Sequence, residues 1–310
     1  MSMATTARVA VLGGGHGVAA VLGALRDAPV DLTAIVTTAD DGGSSGDLRE
    51  RFGGPAVGDL RRALIALSDG TNLMATVMSR PLETRYGRHP VGNLLIRSLT
   101  DSLGDLEASS RWLGRSLGIS GCVLPASVEP VRLLADTGDQ VIAGESAIGD
   151  TADRILRLRF DPQWPRTPAA AVQAILAADW VLLAPGSLYT STLATTALPQ
   201  IVLAIARTPG RVLWLCNLEP EQTETANMTA SDHLSALRNH GVRVDDVLYD
   251  PRAKLRFTPA TLGRNRIAGF AWPLQAARRA VHDPRLLGAA LESLFGAQRS
   301  TLGTAVGRRF

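Results

Sequence analysis

Val9-Ala10-Val11-Leu12-Gly13-Gly14-Gly15-His16-Gly17-Val18-Ala19-Ala20 is the stretch on which the fold turns. A short β-branched and aliphatic run is broken by glycines, and helical character follows from Val18 to Arg26. Leu32 to Thr37 then reads as a second strand, so the chain opens with a βαβ unit. Such a unit favours a right-handed crossover and places the glycine turn at the carboxyl edge of a parallel sheet, where ligands bind. Gly15 to Ala20 satisfies G-x-G-x-x-A. Gly13, Gly14, Gly15, His16 and Gly17 therefore form a candidate phosphate cradle, with backbone amides at the following helix N-terminus meeting the charge. The alternative is a tight strand-to-helix turn that binds nothing.

Outward from this unit, Thr37-Thr38-Ala39-Asp40-Asp41-Gly42-Gly43-Ser44-Ser45-Gly46-Asp47-Leu48-Arg49 follows the second strand directly. Adjacent carboxylates in a Gly/Ser loop at a strand's carboxyl end suit ribose hydroxyls or a Mg²⁺ that bridges phosphates. Asp, Gly and Ser also form plain solvated turns, but a turn needs four residues and this segment reads as a loop of about ten. Gly42-Gly43-Ser44-Ser45-Gly46 matches the G-x-S-x-G nucleophile elbow. An elbow serine sits at the strand-to-helix apex, whereas two aspartates and two glycines intervene here, so a serine hydrolase is rejected.

Further along, Gly58 to Ser68 and Gly92 to Leu103 read as helices entered from loops, with Gly70 and Gly104 as stops. Asp59 and Asn93, near their mouths, could simply cap them. Val131 to Glu145 alternates around Thr137-Gly138-Asp139 as a β-hairpin, and Arg154 to Phe160 is extended. Helix and strand then alternate from Pro168 to Tyr249. Pro185-Gly186-Ser187 reads as a second backbone-amide nest for an anion, and Asn217 and Asp232 follow later strands. Thr229 or Ser231 could be no more than the N-cap of the next helix. The pattern predicts a three-layer, Rossmann-like, mostly parallel sheet with helices on both faces and a β-hairpin insertion.

Composition bounds the chemistry. The chain has 310 residues, 45% apolar and 20% charged, and it fits one large α/β domain or two smaller ones. Lys254 is its single lysine among 32 Lys+Arg. Lys254 follows no Gly-rich loop, which excludes a Walker P-loop, and lies five residues after Tyr249, which excludes the Tyr-x-x-x-Lys pair of short-chain dehydrogenases; it is not read as a Schiff-base nucleophile either. Cys122 and Cys216 sit far apart in apolar segments and read as core thiols in a reducing compartment. His16, His89, His233, His240 and His282 show no metal-ligand spacing, so no zinc site is expected. Val9 to Leu25 is apolar but carries five glycines and lacks a basic leader, which predicts a cytoplasmic protein with no membrane span. The net charge of +3 is local: residues 251–310 hold 11 Lys+Arg against 2 Asp+Glu, and the rest is acidic. That segment lacks the aromatic interleaving of a single-strand groove, so nucleic acid is not expected as a partner.

Taken in order, Leu12 to Gly17, the Thr37 to Arg49 run, Gly58-Asp59-Leu60-Arg61, Gly92-Asn93-Leu94-Leu95, Gly144-Glu145-Ser146-Ala147-Ile148, Pro185 to Ser191, Cys216-Asn217-Leu218 and Thr229 to His233 resemble the gluconeogenesis factor family, which is related to the 2-phospho-L-lactate transferases. The resemblance covers residues 8 to 295 as a single α/β domain, with a hairpin insertion at about 121–160 and a basic tail at 296–310. It implies a cytoplasmic protein that binds a UDP-sugar such as UDP-N-acetylglucosamine and supports cell-wall synthesis and cell shape on gluconeogenic carbon sources. The related branch implies a rival: a Mg²⁺-dependent transferase that moves a phospholactyl group from an activated nucleotide onto a deazaflavin. A dinucleotide-dependent oxidoreductase is a third and weaker reading.

Four departures line the expected cleft. His16 stands where the family has Thr, Arg88 replaces Gly, Glu221 to Asn227 replaces a Gly-Glu-Thr-x-Gly stretch, and Met78 to Glu83 replaces an aromatic-Arg-Phe segment. The expected site is then Gly13 to Gly17 with Gly186 and Ser187 on the diphosphate, and Asp40 and Asp41 on ribose or Mg²⁺. Thr37, Ser44, Asn93, Asn217 and Asp232 line the rest. No catalytic residue is assigned, and a homodimer is the default assembly.

Overall fold

The structure, a computed structural model, describes residues 6–85, 87–276 and 281–306, those from 298 on by backbone alone. In chain order the strands are β1 (Ala7–Gly13), β2 (Val30–Val36), β3 (Pro81–Thr84), β4 (Gly87–Pro90), β5 (Cys122–Pro125), β6 (Arg132–Asp136), β7 (Val141–Ala143), β8 (Arg157–Asp161), β9 (Trp180–Leu183), β10 (Arg211–Leu215), β11 (Asp246–Tyr249) and β12 (Ala268–Ala271). Seven of them form one sheet in the order β5-β2-β1-β9-β10-β11-β12. Every neighbouring pair in it is parallel. The chain builds outward from β1 through β2 to β5, then restarts at β9 on the other side of β1. The order therefore reverses between β1 and β9, and the crevice beyond their carboxyl ends is the topological switch point at which open α/β sheets bind ligands.

Both faces of the sheet are covered, which is why its strands read as near-continuous apolar runs. Along β1, Val9 and Val11 enter the cluster with Leu22, Leu25, Leu60 and Leu64, while Ala10 and Leu12 enter the opposite one with Ile175, Leu193, Ile201 and Leu234. The period of two along a strand thus feeds two cores from one segment. The C-terminal helix Pro284–Val306 closes the first core: Leu287, Ala290 and Leu291 are buried, and the Phe295 ring lies 5.4 Å from Trp180. The helix backbone runs through residue 296, where the tail was expected to begin. Side chains from 298 and residues 307–310 lie outside the described residues.

Two small antiparallel sheets decorate this frame, β3-β4 and β7-β6-β8. The expected hairpin is β6-β7, and the extended segment after it is β8. Cys122–Pro125, placed at the start of the insertion by the sequence, pairs instead with β2 as the sheet's edge strand. The other difference matters for the site: the long loop expected at Thr37 to Arg49 is six residues outside any helix or strand and then a helix, Gly43–Phe52. Gly70 is not a helix stop, since that helix ends at Leu67 with Ser68 as its cap. No single helix among the described residues is long and apolar enough to cross a membrane, although one pair bent by 69°, Leu188–Thr196 with Pro199–Arg207, passes on length and composition together.

Candidate functional site

Because all seven strands are parallel, Gly13, Thr37, Ala184 and Cys216 leave the sheet at one edge. The helix Gly15–Leu25 begins there with Gly14 as its cap and no side-chain cap. A helix's first amides have no carbonyl one turn behind them. Here the Gly15 amide donates to Asp59 Oδ2 at 2.8 Å, which leaves the amides of His16 and Gly17 as the uncapped donors of this helix. Gly17 is required by contact: a Cβ at that position would overlap the Pro185 carbonyl of the turn after β9. A Cβ on Gly14 would lie 2.6 Å from both Asp59 Oδ2 and the Thr37 methyl. The two glycine turns are locked together.

The turn after β9 differs from the open nest expected at Gly186-Ser187. Asn217, after β10, accepts from the Gly186 amide at 3.1 Å and donates to the Gly186 carbonyl at 2.7 Å, so both ends of its side chain hold the turn in place. The Tyr189 amide donates to Glu224 Oε1 at 3.3 Å, and burial pushes the Glu224 carboxyl up to about 8. Most amides of this turn are thus already occupied. The Ser187 hydroxyl donates to Glu221 Oε1 at 3.5 Å. A cavity of about 490 Å³ opens here, lined by His16, Gly17, Gly186, Asn217, Glu221 and His282 among others.

On the β2 side the neighbouring aspartates divide. Asp41 accepts the amides of Glu145 and Ser146, each at 2.9 Å, and so caps the short helix Glu145–Gly149. Its oxygens serve the chain, which corrects the expectation that it holds ribose or metal. Asp40 accepts the Gly42 amide, at 2.9 Å, and the Ser45 hydroxyl, while burial with the nearby Asp59 charge raises its carboxyl above the ordinary range. Arg49 fixes the loop by donating to the carbonyls of Ala39, Asp40 and Val131 at 3.0, 2.9 and 2.8 Å. Thr37 is buried and its hydroxyl accepts the Ala39 amide, so it shapes the turn and does not reach the cleft.

Ser44 lies in the first turn of Gly43–Phe52, where its hydroxyl meets His89 Nδ1 at 2.9 Å and Asn93 Nδ2 at 3.0 Å. Asn93 is 2% exposed and caps nothing, and its Oδ1 has no partner. Asp59 likewise caps no helix of its own; it joins the Gly15 amide to the Arg62 guanidinium. Asp232 falls elsewhere. It forms a capping box with Thr229, accepting the Thr229 amide at 2.7 Å, and lines a separate cavity of about 610 Å³ between the insertion and the helix Ala230–Asn239.

Glu145 is the residue that the sequence reading passed over. Burial first, then the charges of Asp40, Asp41 and Asp59, push its carboxyl up to about 7, with a hydrogen bond from Thr190 opposing. The signal was present in Gly144-Glu145-Ser146, but only the fold brings that segment onto the Asp40 loop. Among the described residues no three His, Cys, Asp or Glu side chains are grouped to hold a metal. A magnesium ion carried on phosphates needs only one or two carboxylates, and Asp40 is the one in this loop whose oxygens are not both taken by backbone amides.

Comparison with known proteins adds the lineage. The family model for 2-phospho-L-lactate transferase (CofD) matches residues 9–259. The chain is 39% identical over 245 residues to the gluconeogenesis factor of Halalkalibacterium halodurans, covering 77% of this chain and 76% of that one. The chain belongs to the gluconeogenesis factor family, on a CofD domain. A second family member, the gluconeogenesis factor of Bacillus subtilis, is 36% identical over 75% of this chain and 74% of its own. In three dimensions the chain is similar to a crystal structure of a UPF0052 family member from Bacillus halodurans, with a TM-score of 0.86 and 32% identity over 93% of this chain and 99% of that one. That structure thus shares the overall fold of this chain.

Proposed function

We propose that this family member binds a nucleotide sugar, of the UDP-N-acetylglucosamine kind, and acts in the cytoplasm through that binding to support cell-wall synthesis and cell shape on gluconeogenic carbon sources. One observation carries the binding reading: the uncapped amides of His16 and Gly17 lie at the switch point, on residues that line a cavity of about 490 Å³. Asp40 supplies the acidic group that a ribose or a phosphate-borne Mg²⁺ needs on the β2 side, and Ser187 supplies a hydroxyl on the β9 side. The shape suits a diphosphate with a group on each end. Nothing in the crevice recommends nucleic acid as a partner, and a homodimer is the default assembly.

A second reading, the Mg²⁺-dependent transferase, is favoured by Glu145. A carboxyl held at about 7 beside Asp40 can take or give a proton near neutrality, as a general base must. Melting the protein with UDP-N-acetylglucosamine, GDP, a deazaflavin or NAD, each with and without Mg²⁺, separates the readings. A ligand at 100 times its Kd adds about 2.7 kcal/mol. Stabilisation by the UDP-sugar supports the first reading; stabilisation by GDP and deazaflavin alone replaces it with the second.

A further inference from the structure

A long groove separates the insertion from the helix Ala230–Asn239. It consists of the cavity of about 610 Å³ already described and a second of about 570 Å³, which meet at Asn239 and His240. One wall is a single stretch of chain: residues 152–156 line the first cavity and residues 157–160 the second. The facing wall is helical, with Asp232, Ser235, Ala236, Asn239 and His240 recurring at the spacing of one helix face. Neither cavity shares a lining residue with the one at the switch point. A nine-residue wall such as 152–160 reaches about 30 Å when extended, longer than a nucleotide sugar.

β8 is an outer strand of its three-stranded sheet, so one of its edges has no neighbouring strand. The Leu158 amide points out of that edge and across the groove, where His240 Nε2 accepts it at 2.8 Å while His240 Nδ1 meets the Ala236 carbonyl at 2.7 Å. Phe160, two residues on, presents its backbone to the same edge. Exposed Arg157 and Arg159 and buried Leu158 and Phe160, from opposite faces of β8, all line the second cavity, which places it along the edge itself. Its lining includes these two arginines and no acidic side chain. Among the described residues neither guanidinium forms an ion pair or a hydrogen bond, and Asp161 lies opposite Arg132 in the β6 register. Trp164 lines the same cavity and is 67% exposed. Charged side chains on an edge strand deter aggregation. The exposed indole beside them does the reverse, and Trp and Arg are the types that anchor protein interfaces.

We propose that this groove docks an extended, acidic polypeptide segment of a partner protein, which adds to the free edge of β8 with carboxylates on Arg157 and Arg159 and an apolar side chain on Trp164. In such docking main-chain pairing supplies affinity and alternate side chains supply specificity. The period of two that sets Arg157 and Arg159 on one face suits a ligand whose acidic residues also alternate. Fluorescence anisotropy of the full chain tests this with a labelled decapeptide of alternating Glu and Val, one of alternating Lys and Val, and a thymidine oligonucleotide of equal length. The acidic peptide should bind at least tenfold more tightly than the basic one, lose affinity as salt rises, and slow hydrogen exchange at the Phe160 amide. Arg157→Glu combined with Arg159→Glu should weaken it at least tenfold and Trp164→Ala about threefold, both with an unchanged melting temperature. Equal affinity for the two peptides, no binding of the acidic one, binding that leaves the Phe160 exchange unchanged, or full affinity in the double variant overturns the proposal. Binding of the oligonucleotide but not of the acidic peptide overturns it in favour of a nucleic-acid surface. Should the charge reversal unfold the protein, Arg157→Gln with Arg159→Gln and Trp164→Ala decide by the same ratio.

Discussion

The two sides of the switch-point crevice are built on opposite principles. On the β2 side charges abound, yet most are consumed by the protein: Asp41 by two amides, Asp59 by the Gly15 amide and Arg62, Arg49 by three carbonyls. On the β1 and β9 side groups are left over: two helix amides and a buried imidazole nitrogen. Residual bonding capacity, not charge, marks where a ligand fits. A buried carboxylate that already accepts two amides has little left to offer, whereas an orphaned neutral acceptor gains most from a partner.

The steepest test of this contrast is Gly17→Ala. The added methyl overlaps the Pro185 carbonyl, so the two turns must separate, with an expected loss of about 3 kcal/mol or more in urea unfolding and no measurable nucleotide binding. A variant as stable and as competent as wild type would show that the turns are not locked. Next comes the aspartate pair. Asp41→Ala removes an acceptor of two amides and should cost about 2–3 kcal/mol of stability. Asp40→Asn relieves a buried charge and should leave stability unchanged or slightly higher while weakening nucleotide binding about tenfold. The reverse pattern would exchange their roles.

Glu145 offers a pH test. Its carboxyl is raised from 4.5 to about 7, so the folded protein binds the extra proton between those values, and this group's contribution falls as pH rises through that window. Glu145→Gln should therefore melt higher than wild type at pH 8, by about 2 kcal/mol once partial solvent exposure is allowed for, and match it at pH 4. A difference independent of pH would mean that the carboxyl is not destabilised in the fold. The smallest effect belongs to Asp232→Ala, which loses an exposed capping box worth about 1 kcal/mol and should bind nucleotide as wild type does, in calorimetric titration.

Much of this was legible in the residues. Trp180 to Leu183 and the helices at Gly58 and Gly92 follow from apolar runs and their glycine boundaries, as does the hairpin at Thr137-Gly138-Asp139. The edge strand Ala268–Ala271 was not, because Ala-Gly-Phe-Ala lacks the continuous aliphatic run that marks a buried strand, and the strand-like segment at Cys122 gave no sign that it pairs with β2. Within the site, Gly13 to Gly17 and Asp40 stood out by type and spacing. Asp41 looked identical to its neighbour, since only the distant Glu145 and Ser146 amides distinguish them. Asp232 was read as a cleft residue although its partner, Thr229, is three residues away: a capping box and a ligand site draw on the same residue types.

Local chemistry, then, is what the chain alone determined. A glycine run between an aliphatic strand and a helix predicts a turn that approaches phosphate, a near absence of lysine removes whole mechanisms, and a motif order points to a family. Tertiary structure decided which polar groups are already spent. That depends on partners 31 to 105 residues away, from Gly186 with Asn217 to Asp41 with Ser146, and hydrogen-bond satisfaction is a property of the packed chain that no local pattern encodes.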